Sequence, residues 1–267
     1  MRGTSPAQAP VYVVEGEIAA GKTELVVALA EALRAKGLRV GLVLEPVDRW
    51  KNIGILQKFY ENPARHAYGF QTFVYATRIL DIVACVEANP DADLYLFERS
   101  PATDAVFMEL QRADADPVEM DMYKVWCGTY ARLLPVDLAR AKVLYLKPGL
   151  DRCMRRLAMR EREGEIRAER LESSTGSPGS WHLAEENEGD CASAEGGVSL
   201  GYQHRLRRAH EAFFQGLHAG EFPLMEPSPF PRDHVYEIPQ HLADGDYRRG
   251  SPHRAQIVAD ILALIGY

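Results

Sequence analysis

Short apolar runs alternate with longer amphipathic stretches along the chain, the pattern of strands and helices taken in turn. Five runs read as strands: Val11–Glu15, Arg39–Glu45, Asp93–Glu98, Lys142–Lys147 and His234–Ile238. Most are too apolar to leave a wet face, which predicts a parallel sheet covered on both sides by helices. The helical stretches between them are Gly21–Lys36, about Asp48–Tyr60, Ala64–Ala88, Ala102–Gln111, Pro117–Leu134, Leu150–Ala168, Leu200–His218 and Pro252–Ile265. No internal repeat is visible, so the expectation is a single α/β domain over residues 1–267 behind a flexible leader, Met1–Pro10.

Two segments break the rhythm. Glu172–Ser199 holds six acids, no Lys or Arg, and many Gly and Ser. It has little to bury and is expected to be a flexible surface loop inserted into the domain. Pro223–Asp233 carries four prolines and is expected to be an irregular connection into the last strand.

Composition narrows the function classes. An apolar share of 46% supports a core and excludes disorder across the whole chain. Acids outnumber bases 38 to 31, so nucleic acid is not expected as a partner. The four cysteines, Cys85, Cys127, Cys153 and Cys191, lie far apart without zinc-ligand spacing, as expected of reduced thiols. No apolar run approaches the roughly 18 residues of a spanning helix, and the leader lacks the features of a targeting peptide. The expectation is a soluble protein, most simply cytosolic, with no membrane partner; a mitochondrial or nuclear location stays compatible.

The strongest chemical signal is Gly16-Glu17-Ile18-Ala19-Ala20-Gly21-Lys22-Thr23, which fits G-x-x-x-x-G-K-[ST] between an apolar strand and an amphipathic helix. Glycines let backbone N–H groups curl around phosphate oxygens, the helix start adds partial positive charge, Lys22 neutralises phosphate charge and Thr23 offers its hydroxyl to Mg²⁺. Such a loop implies a nucleotide but not a reaction. At the end of the second strand stands Glu45, and at the end of the third Glu98-Arg99-Ser100. One carboxylate for a metal and one for a proton would suit phosphoryl transfer to a hydroxyl; Glu45 could equally cap a helix or pair with an arginine.

In the helix Ala64–Ala88, Gln71, Val74, Tyr75 and Arg78 share one stripe, with Phe70, Phe73, Thr77 and Ile82 beside it. The stripe is either a solvated face or a base-reading wall, since an amide offers a donor beside an acceptor. Asp151–Arg170 holds seven arginines, with Arg152, Arg156 and Arg160 at four-residue spacing. That run is either an exposed helix laced with ion pairs or a lid closing on a transferring phosphoryl group.

Taken together, GEIAAGKT, EPVDRW, FYENPARHAYGFQTFVYATRI, FERSPATD and MRRLAMREREGEI resemble, in order and spacing, the cellular deoxynucleoside kinases, and most of all their deoxycytidine/deoxyguanosine group. The resemblance runs from about Val11 to Phe214. It implies a P-loop kinase with a five-stranded parallel sheet, commonly a homodimer. The implied reaction moves the γ-phosphoryl group of ATP, or another nucleoside triphosphate, to the 5′-hydroxyl of a deoxynucleoside with Mg²⁺.

By that resemblance Glu45 is the general base, and Lys22 with the loop Gly16, Ala19, Ala20, Gly21 and Thr23 holds phosphates. Thr23 and Glu98 hold the metal, and Arg99 contacts the reacting oxygens. Gln71 bonds the base, Phe70 stacks on it, and Arg78 with Asp104 lies beside its far edge. Tyr60 and Glu165 clasp the 3′-hydroxyl, Trp50 lines the pocket, and Arg156, Arg160 and Arg162 form the lid. A charged pair at Arg78 and Asp104 implies deoxycytidine or purine deoxynucleosides over thymidine. A thymidine-preferring or broad-specificity kinase, and more distantly a nucleoside monophosphate kinase, are the alternatives.

Three departures from the resemblance stand out. The acidic stretch Glu172–Ser199 is extra, Met108 stands near a place where relatives carry an aromatic that Phe107 could replace, and Glu24 follows Thr23 where a second hydroxyl residue is usual.

Overall fold

The computed structural model describes residues 9–112, 115–159, 198–215 and 228–267. Five strands, β1 (Val11–Gly16), β2 (Val40–Val43), β3 (Leu94–Glu98), β4 (Lys142–Leu146) and β5 (Val235–Glu237), pair in the order β2-β3-β1-β4-β5. Every pairing is parallel. The register sets Val13 opposite both Phe97 and Val143, so side chains of equal parity share a face. Val11, Val13, Tyr95, Phe97, Val143 and Tyr145 join one apolar cluster, and Tyr12, Val14, Leu94, Leu96, Leu144 and Leu146 join another. The predicted two-faced parallel sheet is therefore the observed one.

Ten helices are seen among the described residues: α1 (Lys22–Ala35), α2 (Val47–Asn52), α3 (Ile55–Glu61), α4 (Pro63–Ala88), α5 (Pro101–Glu109), α6 (Pro117–Tyr130), α7 (Leu150–Ala158), α8 (Leu200–Gln215), α9 (Gln240–Ala243) and α10 (Arg254–Leu264). Helices α1 and α10 cover the face of Tyr12 and Val14; α4, α5 and α8 cover the other. The chain leaves β1 for β2 on one side of the sheet and later passes to β4 on the other. The strand order thus switches between β1 and β3, where open α/β sheets open a crevice at their carboxyl ends.

The differences from the predicted elements have local causes. Asp48–Tyr60 is two helices, because Gly54 takes a left-handed conformation (φ 76°) and starts α3 afresh. Pro117–Leu134 ends its α-helical part at Tyr130 and tightens into a 3₁₀ turn over Ala131–Leu133. Short α9, following Pro239, was not anticipated. Strand β2 stops at Val43, which leaves Glu45 in the connecting loop. The membrane expectation needs one correction: α4 is long and apolar enough to span a bilayer by length and composition. Half of that apolar window is buried inside the fold, where α4 packs as a core helix. The leader up to residue 8, residues 160–170 of the arginine run, 172–197 of the acidic stretch, 216–218 of the predicted helix Leu200–His218 and 223–227 of the proline-rich stretch lie outside the described residues.

Candidate active site

The loop after β1 depends on three backbone conformations with positive φ: Gly16 (151°), Ala19 (60°) and Gly21 (100°). A Cβ on Gly16 would strike the carbonyl oxygen of Leu146 on the adjoining strand, so only glycine lets the chain turn there. Gly21 precedes α1, whose first N–H groups open onto the crevice. Lys22 Nζ donates to the carbonyls of Glu17 (2.7 Å) and Gly16 (3.3 Å), which places a buried ammonium within the loop. Arg156 of α7 reaches the same loop, donating to the carbonyl of Ala20 and to that of Gly245 (2.8 Å).

Thr23 Oγ1 donates to Glu98 Oε1 at 2.6 Å, and Glu98 Oε2 accepts the backbone N–H of Glu45 at 3.2 Å. A hydroxyl and a carboxylate are hard oxygen donors. They fit Mg²⁺, which is typically held by one or two protein carboxylates together with substrate phosphates. Among the described residues no cluster of three or more His, Cys, Asp or Glu side chains offers a protein-only cage.

Beyond Thr23 and Glu98 lies a buried network of charge. Arg78 donates from Nη2 to Glu45 Oε1 (3.0 Å), from Nε to Asp104 Oδ2 (2.9 Å) and from Nη1 to the carbonyl of Glu98 (3.1 Å). Arg99 Nε stands 3.3 Å from the same Glu45 oxygen, and its Nη1 lies 3.6 Å from Glu15 Oε2. Burial alone would raise the pKa of Glu45; Arg99, Arg78 and Lys22 outweigh it and hold the carboxyl down to about 2. Burial, and then the charge of Glu45, push Glu98 upward. Arg78 is raised: burial works against its charge, but Asp104 and Glu45 prevail.

Glu45, Arg78, Glu98, Arg99 and Asp104 line one cleft together with Lys22 and Thr23. The phosphate loop and Thr23 form one end; Trp50, Tyr60, Phe70, Gln71, Arg78 and Asp104 line it further in. Phe59 stacks on Phe70 (centroids 4.7 Å apart), and the Trp50 indole N–H donates to Thr77 Oγ1 at 3.1 Å. The stripe of α4 is thus not a solvated face: Gln71, Val74 and Arg78 line the cleft, while Tyr75, also buried, lines a second cavity beside Tyr123 and donates to the Cys127 carbonyl at 3.0 Å. Phe107, not Met108, faces the cleft; Met108 packs with Met120 and Tyr123.

Arg160, Arg162 and Glu165 lie outside the described residues. Every other residue given a phosphate, metal, base or sugar role by the resemblance lies on this cleft or in the loop at its end, with Arg156 bonded to that loop from α7, whereas Arg152 pairs with Asp244.

Several participants were not singled out. Glu15, fully buried in β1, accepts from the Ser100 N–H (2.8 Å) and the Thr103 hydroxyl (2.5 Å) and anchors Arg99, whose φ is 63°. An acid inside an apolar strand was the available signal. Glu17 accepts from Arg207 Nε at 2.7 Å across 190 residues of sequence, a contact with no local signature. His210 of α8 sits under the site, its ring edge-on to Phe107 and stacked on Tyr145.

His210 supplies a pH test. Burial, then the Arg99 charge, lower its pKa from 6.5 to about 3, so the folded protein holds it neutral where the unfolded chain takes up a proton. Because the unfolded state binds more protons, stability is fully present above about pH 6.5 and falls as pH drops toward 3, by roughly 1.4 kcal/mol per unit from this group. We expect urea unfolding between pH 4 and 6.5 to show this slope and His210→Asn to flatten it; an unchanged slope in the variant would exclude His210 as its source.

Comparison with known proteins agrees with the geometry. The family model for deoxynucleoside kinase matches residues 12–173. The chain is 28% identical over 155 residues to a "probable deoxycytidine kinase" of Fowlpox virus, covering 57% of this chain and 62% of that protein. It is 30% identical over 160 residues to a thymidine kinase of Ictalurid herpesvirus 1 (58% and 65% covered), and 28% over 196 residues to deoxycytidine kinase of Mus musculus (64% and 74%). The chain therefore spans less than two thirds of the first two of these relatives. With a family model covering more than half its length, and with its phosphate loop, parallel sheet and carboxylate-lined cleft in place, the chain belongs to the deoxynucleoside kinase family.

Proposed function

We propose that the protein transfers the γ-phosphoryl group of a nucleoside triphosphate to the 5′-hydroxyl of a deoxynucleoside. The observation that carries this reading is the position of Glu45. It is an ionised carboxylate fixed by two guanidinium groups, in a cleft that has a phosphate loop at one end and an amide-and-aromatic chamber at the other.

Both guanidinium contacts fall on Oε1, which leaves Oε2 of Glu45 to accept the hydrogen of the incoming hydroxyl. A base held near pKa 2 is weak, but phosphoryl transfer has a loose transition state in most analyses, so positioning the nucleophile counts for more than early proton removal. Lys22, the loop amides and Arg156 take the triphosphate, and Arg160 and Arg162 would complete the lid. Thr23 and Glu98 would hold Mg²⁺, which supplies charge neutralisation on the phosphates when bound. Arg99, whose Nε stands 3.3 Å from Glu45 Oε1 while its Nη1 faces Glu15, would meet a reacting oxygen beside Glu45. Phe70 stacks on the base, Gln71 bonds its edge, Trp50 lines the pocket, and Tyr60 with Glu165 clasps the 3′-hydroxyl. A nucleoside monophosphate as acceptor is disfavoured, because its phosphate would face the Glu45 carboxylate. Glu45→Gln is expected to keep deoxynucleoside binding and lower kcat by about 10²–10⁴; a variant with most of its kcat would remove Glu45 from the chemistry.

The base preference follows from the far wall. The relatives named above include both deoxycytidine and thymidine kinases, so the family alone does not choose. Arg78 and Asp104, at 2% and 1% exposure, form a hydrogen-bonded ion pair where a thymine methyl would need room. Pressing a methyl group there costs desolvation without offering a partner. Deoxycytidine or purine deoxynucleosides are expected over thymidine in an initial-rate panel with ATP and Mg²⁺, and Arg78→Met with Asp104→Ala should raise thymidine turnover. Higher kcat/KM for thymidine in the unmutated enzyme would overturn this assignment.

The expected homodimer has one supporting feature. Helix α6 exposes Val118, Met122, Val125 and Trp126, an apolar face that a second copy of the chain would cover. Sedimentation should give twice the 29.9 kDa chain mass, and Val125→Glu should shift it toward the monomer; a monomer at micromolar concentration would exclude the dimer.

A further inference from the structure

The phosphate loop contains an acid, Glu17, in a place whose purpose is to attract anions. Its side chain is fully buried. Oε1 accepts from Arg207 Nε at 2.7 Å and from the Tyr145 hydroxyl at 3.2 Å, while Oε2 has no hydrogen bond. The backbone carbonyl of the same residue accepts from Lys22 Nζ at 2.7 Å, so this carboxylate belongs to the residue that the phosphate-binding ammonium touches. Left unpaired beside a polyphosphate, one negative charge would weaken binding, since like charges a few ångströms apart repel by kcal/mol amounts even at an effective dielectric constant near 20.

Arg207 comes from α8, the helix that also supplies Tyr202 to the cleft wall. Its Nη2 donates to the carbonyl of Pro148 at 2.5 Å, which fixes the guanidinium, and one turn earlier Gln203 Nε2 donates to the carbonyl of Ile18 at 2.8 Å. Burial opposes the charge of Arg207, but the bond to Glu17 and the Glu17 charge raise its pKa, so the arginine stays ionised.

Resting on the kinase reading for the identity of the donor, we propose that Arg207 is a positioning residue for the nucleoside triphosphate: it neutralises Glu17 inside the phosphate loop and so keeps the loop attractive to phosphate. Two roles are separable here. A mechanical staple would need both side chains; an electrostatic shield is needed only while Glu17 is charged.

The test compares Arg207→Gln, Glu17→Gln and the double variant, each checked for folding by thermal melting. Binding of Mg·ATP is measured without nucleoside, and deoxynucleoside binding separately. We expect Arg207→Gln to weaken ATP at least tenfold with deoxynucleoside affinity within twofold of the unmutated protein. The double variant should return ATP affinity to within threefold, because the charge that needed shielding is gone. Glu17→Gln alone should bind ATP as well or better. A double variant as weak as Arg207→Gln, or an Arg207→Gln protein with unchanged ATP affinity, overturns the proposal. If Arg207→Gln does not fold, Glu17→Gln decides: equal or tighter ATP binding supports the shield and weaker binding overturns it. Failure of the kinase reading shows elsewhere, as an unmutated protein that binds ATP without deoxynucleoside-dependent turnover.

Discussion

The crowding of charge at the carboxyl edge of β1 and β3 is the constraint on which the site depends. Glu15, Glu98 and Asp104 are buried there with Arg78 and Arg99, and Glu45 stands only partly exposed between the two guanidinium groups. Taking such ions out of water costs several kcal/mol each, and attraction offsets that cost only where geometry is good and the remaining polar atoms are satisfied. The structure meets this condition by sharing partners. Arg78 serves Asp104, Glu45 and a carbonyl; Glu15 is bound by an amide and a hydroxyl at the start of α5. Arg99 accepts a left-handed backbone, a strain of roughly 1–3 kcal/mol for a residue with a side chain, in order to face both Glu15 and Glu45.

Such a network needs a frame that does not yield, and the sheet provides it. Strands whose two faces are both apolar hold their ends in register, so Glu98 is set directly beside Val14, the residue two before the loop glycine. Helix α4 then carries Gln71 and Arg78 past the end of that edge on one rigid element, seven residues and thus about two turns apart. Their separation is fixed by helix geometry and not by loop conformation. The same helix is apolar on so much of its circumference that it passes for a membrane span by composition, a consequence of being wrapped by the core and the cleft together.

What the sequence revealed and what it hid divide by range. The phosphate loop was legible because its chemistry is local: two glycines, a lysine and a threonine within eight positions between a strand and a helix. Glu98, ending β3, and Glu45, just after β2, were legible because open parallel sheets bind ligands at the carboxyl ends of their strands. The stripe of α4 was ambiguous, since a polar and aromatic face is consistent with solvent or with a cleft, and burial of Gln71 and Arg78 decides it. The choice between Phe107 and Met108 rests on about 100° of helix rotation, finer than a helix boundary placed from sequence can resolve. Glu17 and Arg207 were invisible as a pair: nothing near either residue announces a partner on the other side of the sheet's edge.

Arg78 has a consequence for specificity that follows from its shared bonds. Its Nε binds Asp104, the carboxylate proposed to lie at the nucleobase's far edge, and its Nη2 binds Glu45, the carboxylate proposed to receive the acceptor hydroxyl. On the proposed reading, base selection and nucleophile positioning are therefore held by one rigid, planar group. Removing Asp104 alone frees Nε and leaves the guanidinium with Glu45 as its remaining carboxylate, free to pull on the carboxylate proposed as general base. Removing Arg78 alone leaves Asp104 buried without its cation and Glu45 with only Arg99 beside it. If the proposed reading holds, a change of nucleobase preference in this cleft moves both ends together, because one side chain bonds the far wall of the chamber and the Glu45 carboxylate at once.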